Sequence, residues 1–231
     1  MFLLKKQEMY ATITIKGEIH RSAQKRRSGR TDRMKIYDIS QEILSSKVFD
    51  GDPVPKKTTV SSMSKGDAYN LSAFFMCAHN GTHVDAPYHF INDGGSIDEI
   101  SLDKFVGLAY VAERSGVISA QAAKDILTSA AACGEECAKR ILLKGELTVG
   151  ADAARVFAEA GCYLLGNESQ TVGPVDAPME VHRILLGKGT VLLEGIRLGE
   201  VGEGRYFLCA APLCLGGADG APCRAFLIDE L

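Results

Sequence analysis

Short runs of apolar, β-branched and aromatic residues recur along the chain, each bounded by Gly, Pro or Asp, and they read as strands. They are Lys35–Ile39, Thr58–Met63, Tyr69–Cys77, Val106–Ala112, Arg140–Leu143, Cys162–Leu165, Thr190–Leu193, Tyr206–Ala210 and Arg224–Ile228. Three other stretches have helical spacing. Ser119 is a good N-cap for a helix over Ala120–Ala131. Gly150-Ala151-Asp152 opens a short helix that ends before Gly161. Pro178 suits the first turn of a third helix, running through His182 to Leu186 and closed by Gly187. The first half is mostly strand, whereas the second alternates helix and strand. This order predicts an α/β domain: a mixed sheet with helices packed on it.

Composition narrows the class. Of 231 residues, 46% are hydrophobic and 24% charged, which excludes collagen-like, coiled-coil and broadly disordered chains. No run of about 18 uncharged apolar residues is present, so no membrane span is expected. The net charge of −3 is unevenly spread. Residues 1–33 hold nine Lys/Arg against three Asp/Glu, so the remainder is strongly acidic. The basic run Lys25-Arg26-Arg27-Ser28-Gly29-Arg30 reads as a solvated tail rather than a nucleic-acid arm, because an acidic body repels a polyanion. Phe2-Leu3-Leu4 is too short for a signal sequence, and Met34-Lys35-Ile36 runs straight into a strand. The expected organisation is a basic extension over 1–33 and one domain over 34–231. Seven cysteines, an odd number without any CxxC, point to a reducing cytoplasm rather than to a disulfide framework.

The chain has only five histidines, and three lie in His79-Asn80-Gly81-Thr82-His83-Val84-Asp85-Ala86-Pro87-Tyr88-His89. Gly81, Thr82, Val84 and Pro87 disfavour helix, so the segment is extended. In extended chain alternate residues share a face, and positions 79, 83, 85 and 89 are all odd. Two atoms on one metal ion lie roughly 4 Å apart, yet His79 and His83 would be about 13 Å apart along a straight strand. The chain must bend between them, and Asn80-Gly81 is where it can. His83-x-Asp85 needs no bend, and Pro87 can turn His89 in from another direction. Imidazoles with a carboxylate suit Zn²⁺ or Mn²⁺. His182, on the third helix, and Glu194, at the end of an apolar strand, are further candidates. On the residues alone, a surface histidine and a strand-end glutamate explain them more simply.

The eleven-residue segment resembles the H-x-G-T-H-x-D-x-P-x-H signature of the cyclase-like metal-dependent hydrolases, which include bacterial kynurenine formamidase and isatin hydrolase. Phe49-Asp50-Gly51-Asp52-Pro53, the span from Val181-His182-Arg183 to Leu193-Glu194, and Gly217–Ala225 resemble further blocks of that family in the same order. The resemblance implies a layered β/β/α fold of the swivelling type and a homodimer or homotetramer. It implies two divalent ions per subunit, Zn²⁺ foremost and Mn²⁺ as the alternative. His79, His83 and Asp85 would bind the first ion, Asp85 and His182 the second, and Glu194 would bridge them, with His89 as general acid/base. The implied reaction is hydrolysis of a small amide, with N-formyl-L-kynurenine giving L-kynurenine and formate as the leading case. Another aryl amide, a cyclic amide or a lactone is the alternative substrate, and a non-catalytic metal-binding protein the alternative class. Phe49 stands where kynurenine formamidases usually have tryptophan against the substrate. Asp50 replaces a proline, and Asn167-Glu168-Ser169-Gln170 replaces an Asp-Thr-Pro-Ser-like run. All three departures are expected near substrate rather than metal.

Overall fold

All nine runs read as strands are strands in the computed structural model, which describes residues 34–229. The basic segment 1–33, expected to stand apart, lies outside the described residues, as do 230–231. The elements in chain order are β1 (Lys35–Asp38), β2 (Lys56–Ser61), β3 (Leu71–Phe75), β4 (His83–Asp85), β5 (Val106–Glu113), β6 (Gly116–Ile118), α1 (Ala120–Ala132), β7 (Arg140–Lys144), β8 (Leu147–Val149), α2 (Ala151–Glu159), β9 (Leu164–Asn167), α3 (Met179–Leu186), β10 (Val191–Glu194), β11 (Gly204–Cys209), β12 (Gly220–Pro222) and β13 (Phe226–Asp229). The three helices fall where capping and spacing place them. Ser119 Oγ accepts from the Ala122 N–H at 3.3 Å, and Pro178 and Gly187 bracket α3.

Among the described residues, nine strands form one mixed sheet in the order β1-β13-β11-β5-β7-β9-β10-β4-β12. Its middle, β5-β7-β9-β10, is parallel, and each step within it crosses over through a helix: α1, α2, then α3. Strands towards both edges pair antiparallel. Alternation along the strands builds the two faces. Tyr110, Ala112, Ile141, Leu143, Leu165 and Leu192 pack with the helices. Their neighbours in sequence, among them Val111, Leu142, Leu164 and Leu193, join a second apolar cluster on the opposite face. Val84 and Ala221 from one end of the sheet and Leu227 from the other belong to that same cluster, because the sheet curls. The fold is the mixed, layered α/β architecture expected.

Side-chain parity decides where chemistry can sit. Leu192 faces the helices, so Glu194, two residues on, faces them too. Val84 pairs with Leu193 and faces the other cluster, which turns His83 and Asp85 to the helical side beside Glu194. Three-residue strands β4, β6, β8 and β12 were not expected as strands. Each is too short to show a period, and Gly220-Ala221-Pro222 has no strand propensity; β12 forms because β4 offers it an edge.

A candidate metal centre at the end of the parallel strands

Glu194 ends β10, so the site opens at the C-terminal end of the parallel strands, where α/β sheets offer a crevice. The turn at Asn80-Gly81 is as predicted. The Asn80 side chain accepts from the Cys77 N–H at 3.0 Å and donates to the Pro53 carbonyl at 3.2 Å. Gly81 has φ +69°, a conformation that L side chains rarely adopt. This turn folds His79 back over β4, so that its Nδ1 lies 3.0 Å from Asp85 Oδ1.

Two imidazoles are locked by main-chain carbonyls. His83 Nδ1 donates to Gly81 O at 3.0 Å, and His182 Nδ1 donates to Pro178 O at 2.8 Å, one turn back in α3. In each neutral ring the Nε2 lone pair is then left bare. Both Nε2 atoms face carboxylate oxygens. His83 Nε2 is 3.3 Å from Asp85 and 3.6 Å from Glu194; His182 Nε2 is 3.6 Å from Asp85 and 3.3 Å from Glu194. Glu194 Oε1 also accepts the Val172 N–H at 2.7 Å.

Such a cluster sets acceptors against acceptors. Asp85 and Glu194 are 1% and 2% exposed, and among the described residues no Lys or Arg pairs with either. Burying two carboxylates without a counter-charge is costly, so the space between them calls for cations. Without an ion, protons take that role. Burial pushes the His79 ring down, but Asp219 and Asp85 outweigh it and raise it to about 11. Burial likewise opposes protonation of His182, and Glu194 and Asp85 overcome it. Burial would raise the Asp85 carboxyl, yet His79 and His83 hold it well below the usual range. The donor atoms form groups within 4.8 Å of one another: His79, His83 and Asp85; Asp85, His182 and Glu194; and His79, His89 and Asp219. The first two share Asp85. The donor types and their burial fit a divalent cation.

His89 stands beside these groups rather than among the buried carboxylates. Its ring stacks on His79 with centroids 4.0 Å apart, and it lines a cleft of about 200 Å³. Phe49, Asp52, Phe90, Gln170, Thr171 and Pro178 form much of the rest of that cleft. Of the departures expected near substrate, Phe49 and Gln170 do line it. Glu168 does not: its carboxylate accepts the Gly145 and Leu198 N–H groups and so ties loops together. Asn167 is buried and donates to Thr171 O, and Asp50 is exposed away from the lining. One residue without an assigned role in the sequence reading is central. Asp219 Oδ2 lies 2.9 Å from His79 Nε2 and 3.2 Å from His89 Nδ1. An acid inside the glycine-rich run Gly216-Gly217-Ala218-Asp219-Gly220 was the available signal.

A curled mixed sheet holding imidazole and carboxylate donors above a small cleft defines a metal-dependent hydrolase. The chain belongs to the putative cyclase family, whose model matches residues 37–173. The kynurenine formamidase of Salinibacter ruber is 32% identical over 212 residues, covering 85% of this chain and 98% of that protein. The kynurenine formamidase of Bacillus cereus is 33% identical over 205 residues, covering 82% and 95%. Among solved structures, a protein from Bacillus stearothermophilus described as a predicted metal-dependent hydrolase superposes with a TM-score of 0.71 at 30% identity, covering 86% of this chain and all of that one. Isatin hydrolase A from Labrenzia aggregata shares the fold, with a TM-score of 0.70 at 22% identity over 84% of this chain and 93% of that one.

Proposed function

We propose that this chain hydrolyses N-formyl-L-kynurenine to L-kynurenine and formate. The observation that carries the reading is the pair of donor groups sharing Asp85, with His89 beside them in the same cleft. His79, His83 and Asp85 would hold one ion and Asp85 with His182 a second. Glu194, whose two oxygens face His182 and His83, would span both. Zn²⁺ is the favoured ion and Mn²⁺ the alternative. When bound, such ions supply a water acidified to a pKa near 7 and positive charge against a developing oxyanion.

The chain's own groups do the rest. His83 and His182 present bare Nε2 atoms without reorganisation, since their Nδ1–H groups are already engaged. His89, with Nδ1 committed to Asp219, offers Nε2 as the group that carries a proton. Water oxygen adds to the formyl carbon as His89 Nε2 takes up its proton, the C–N bond breaks, and His89 passes that proton to the leaving aryl nitrogen. Phe49 and Phe90 provide apolar walls for an aryl ring. With zinc or manganese supplied, the highest kcat/KM in a panel of N-formylkynurenine, simple formanilides, isatin and lactones is expected for N-formylkynurenine. A higher value for a cyclic amide or lactone would favour the second reading, which the smaller Phe49 in place of an indole supports. No turnover of any panel member would leave a metal-holding protein.

We also propose that the active form is a homo-oligomer closed over the β2–β3 hairpin. Val60, Met63, Tyr69, Leu71, Phe74 and Phe75 are each 45–60% exposed. A lone two-stranded hairpin is marginal in water, and apolar side chains exposed on both of its faces call for cover. Half-exposed side chains of this size offer several hundred Å², approaching the roughly 800 Å² per partner of a stable interface. Phe74 also borders a groove with Ile43, Leu44, Met76 and Leu213, so patch and acceptor adjoin. The occupant is a second copy of this chain. Light scattering should give a multiple of 24.8 kDa. Phe74→Ser with Phe75→Ser should shift it to one chain mass, and trimming to Met34 should leave assembly and activity unchanged. A monomeric parent, or a double variant still assembled, contradicts the interface. Loss of assembly or activity on trimming contradicts the reading of 1–33 as a dispensable extension. The free cysteines support a reducing, cytoplasmic setting.

A further inference from the structure

Asp219 serves two rings with one oxygen. Its Oδ2 accepts from His79 Nε2 at 2.9 Å and from His89 Nδ1 at 3.2 Å. A carboxylate oxygen accepts hydrogen bonds and cannot donate them, so both of those nitrogens carry hydrogen. The remaining nitrogens are thereby defined. His79 Nδ1, 3.0 Å from Asp85 Oδ1, is then the nitrogen that gives up its hydrogen when a cation takes that place. His89 Nε2 is left bare on the cleft side. The stacked rings, with centroids 4.0 Å apart and planes inclined by 29°, present their opposite nitrogens to the same oxygen.

The surroundings are shaped for this arrangement. The neighbouring Gly220 admits the His79 ring: a Cβ there would sit 3.0 Å from His79 Cε1 and 2.6 Å from Val84 O. The Asp219 main chain is held independently of its side chain. Asp219 O accepts the Ala86 N–H and Ala218 O the Ile97 N–H, each at 2.9 Å. Its carboxylate is 42% exposed, so it fills no part of the core.

We infer that Asp219 is a positioning residue that sets the tautomers of both a metal-binding imidazole, His79, and the proton-carrying imidazole, His89. This rests on the proposed roles of those two histidines. The carboxylate thus couples metal capture to proton transfer: one hydrogen bond turns a ligand towards the ion, and the other turns the base towards substrate.

Two variants separate this role from a scaffolding one. Asp219→Ala removes the acceptor, whereas Asp219→Asn keeps one oxygen able to accept from both rings. Three readouts are needed on full-length protein: Zn²⁺ affinity by competition with a chromogenic chelator, kcat and KM at saturating Zn²⁺, and ¹⁵N NMR of the His89 ring. Asp219→Ala is expected to weaken Zn²⁺ binding by about 10–100-fold. At saturating metal it should lower kcat on the order of 10²-fold while KM moves less than about threefold. The His89 ring should lose its fixed Nδ1–H signature. Asp219→Asn should keep that signature and recover most of the affinity. Asp219→Ala with parental Zn²⁺ affinity, kcat and ¹⁵N pattern would overturn the inference, as would an Asn variant no better than the Ala variant. Failure of the parent protein itself to bind Zn²⁺ would instead overturn the metal reading beneath it.

Discussion

Exhaustive chelation is expected to abolish hydrolysis, and added Zn²⁺, Mn²⁺ or Co²⁺ to restore it. The reason is electrostatic. Asp85 and Glu194 are buried, and among the described residues imidazoles are their only ion-pair partners. No ordinary side chain there can acidify a water, and without an ion the neighbouring carboxylates favour the protonated His79 and His182 rings. The ion should also stabilise the fold. A ligand at 100 times its Kd adds about 2.7 kcal/mol, which for a chain of this size is a Tm rise of roughly 5–10 °C. Metal analysis and a thermal melt on the same sample check both halves. Full activity in demetallated protein would end the metal hypothesis. Glu194→Gln should then lower the metal content from two equivalents towards one, because it weakens the side chain that faces both histidines.

His89→Ala is expected to lose about 10²- to 10⁴-fold in kcat with the metal content unchanged. His89 lines the cleft and touches Asp219 but neither Asp85 nor Glu194. Its ring is therefore free to exchange a proton with substrate. Parallel measurement of turnover and bound metal discriminates the roles. If metal departs along with activity, His89 is a ligand, and the group of His79, His89 and Asp219 becomes a third binding position.

Much of this site was readable along the chain, for a physical reason. His79, His83, Asp85 and His89 lie within eleven residues, and the period of two in extended chain puts them on one side before any tertiary contact is known. The bend at Asn80-Gly81 followed from distance alone. His182 and Glu194 were different. They meet His83 and Asp85 only because α3 crosses between the parallel strands β9 and β10, and β4 then pairs with β10 in one register. Local pattern made them no more than candidates, and the family resemblance raised them above the simpler explanation. Asp219 was harder still, since it is carried beside β12, whose Gly-Ala-Pro sequence forms a strand solely through its neighbour. The expectation for Asn167–Gln170 failed in part because composition does not tell a carboxylate that ties two loops, such as Glu168, from one that faces a cleft.

The strand order also governs how the protein is made. β1, near the start of the described chain, finishes against β13, and β4 has β12 as its outer neighbour. Until residues 219–229 have left the ribosome, both borders of the sheet are open and Asp219 is missing from the histidines. A nascent chain ending before residue 219 has every residue of the cleft lining but neither β12 beside β4 nor the Asp219 acceptor. The strand order thus makes the arrangement of His79 and His89 a late event of synthesis, completed only when β12 pairs with β4.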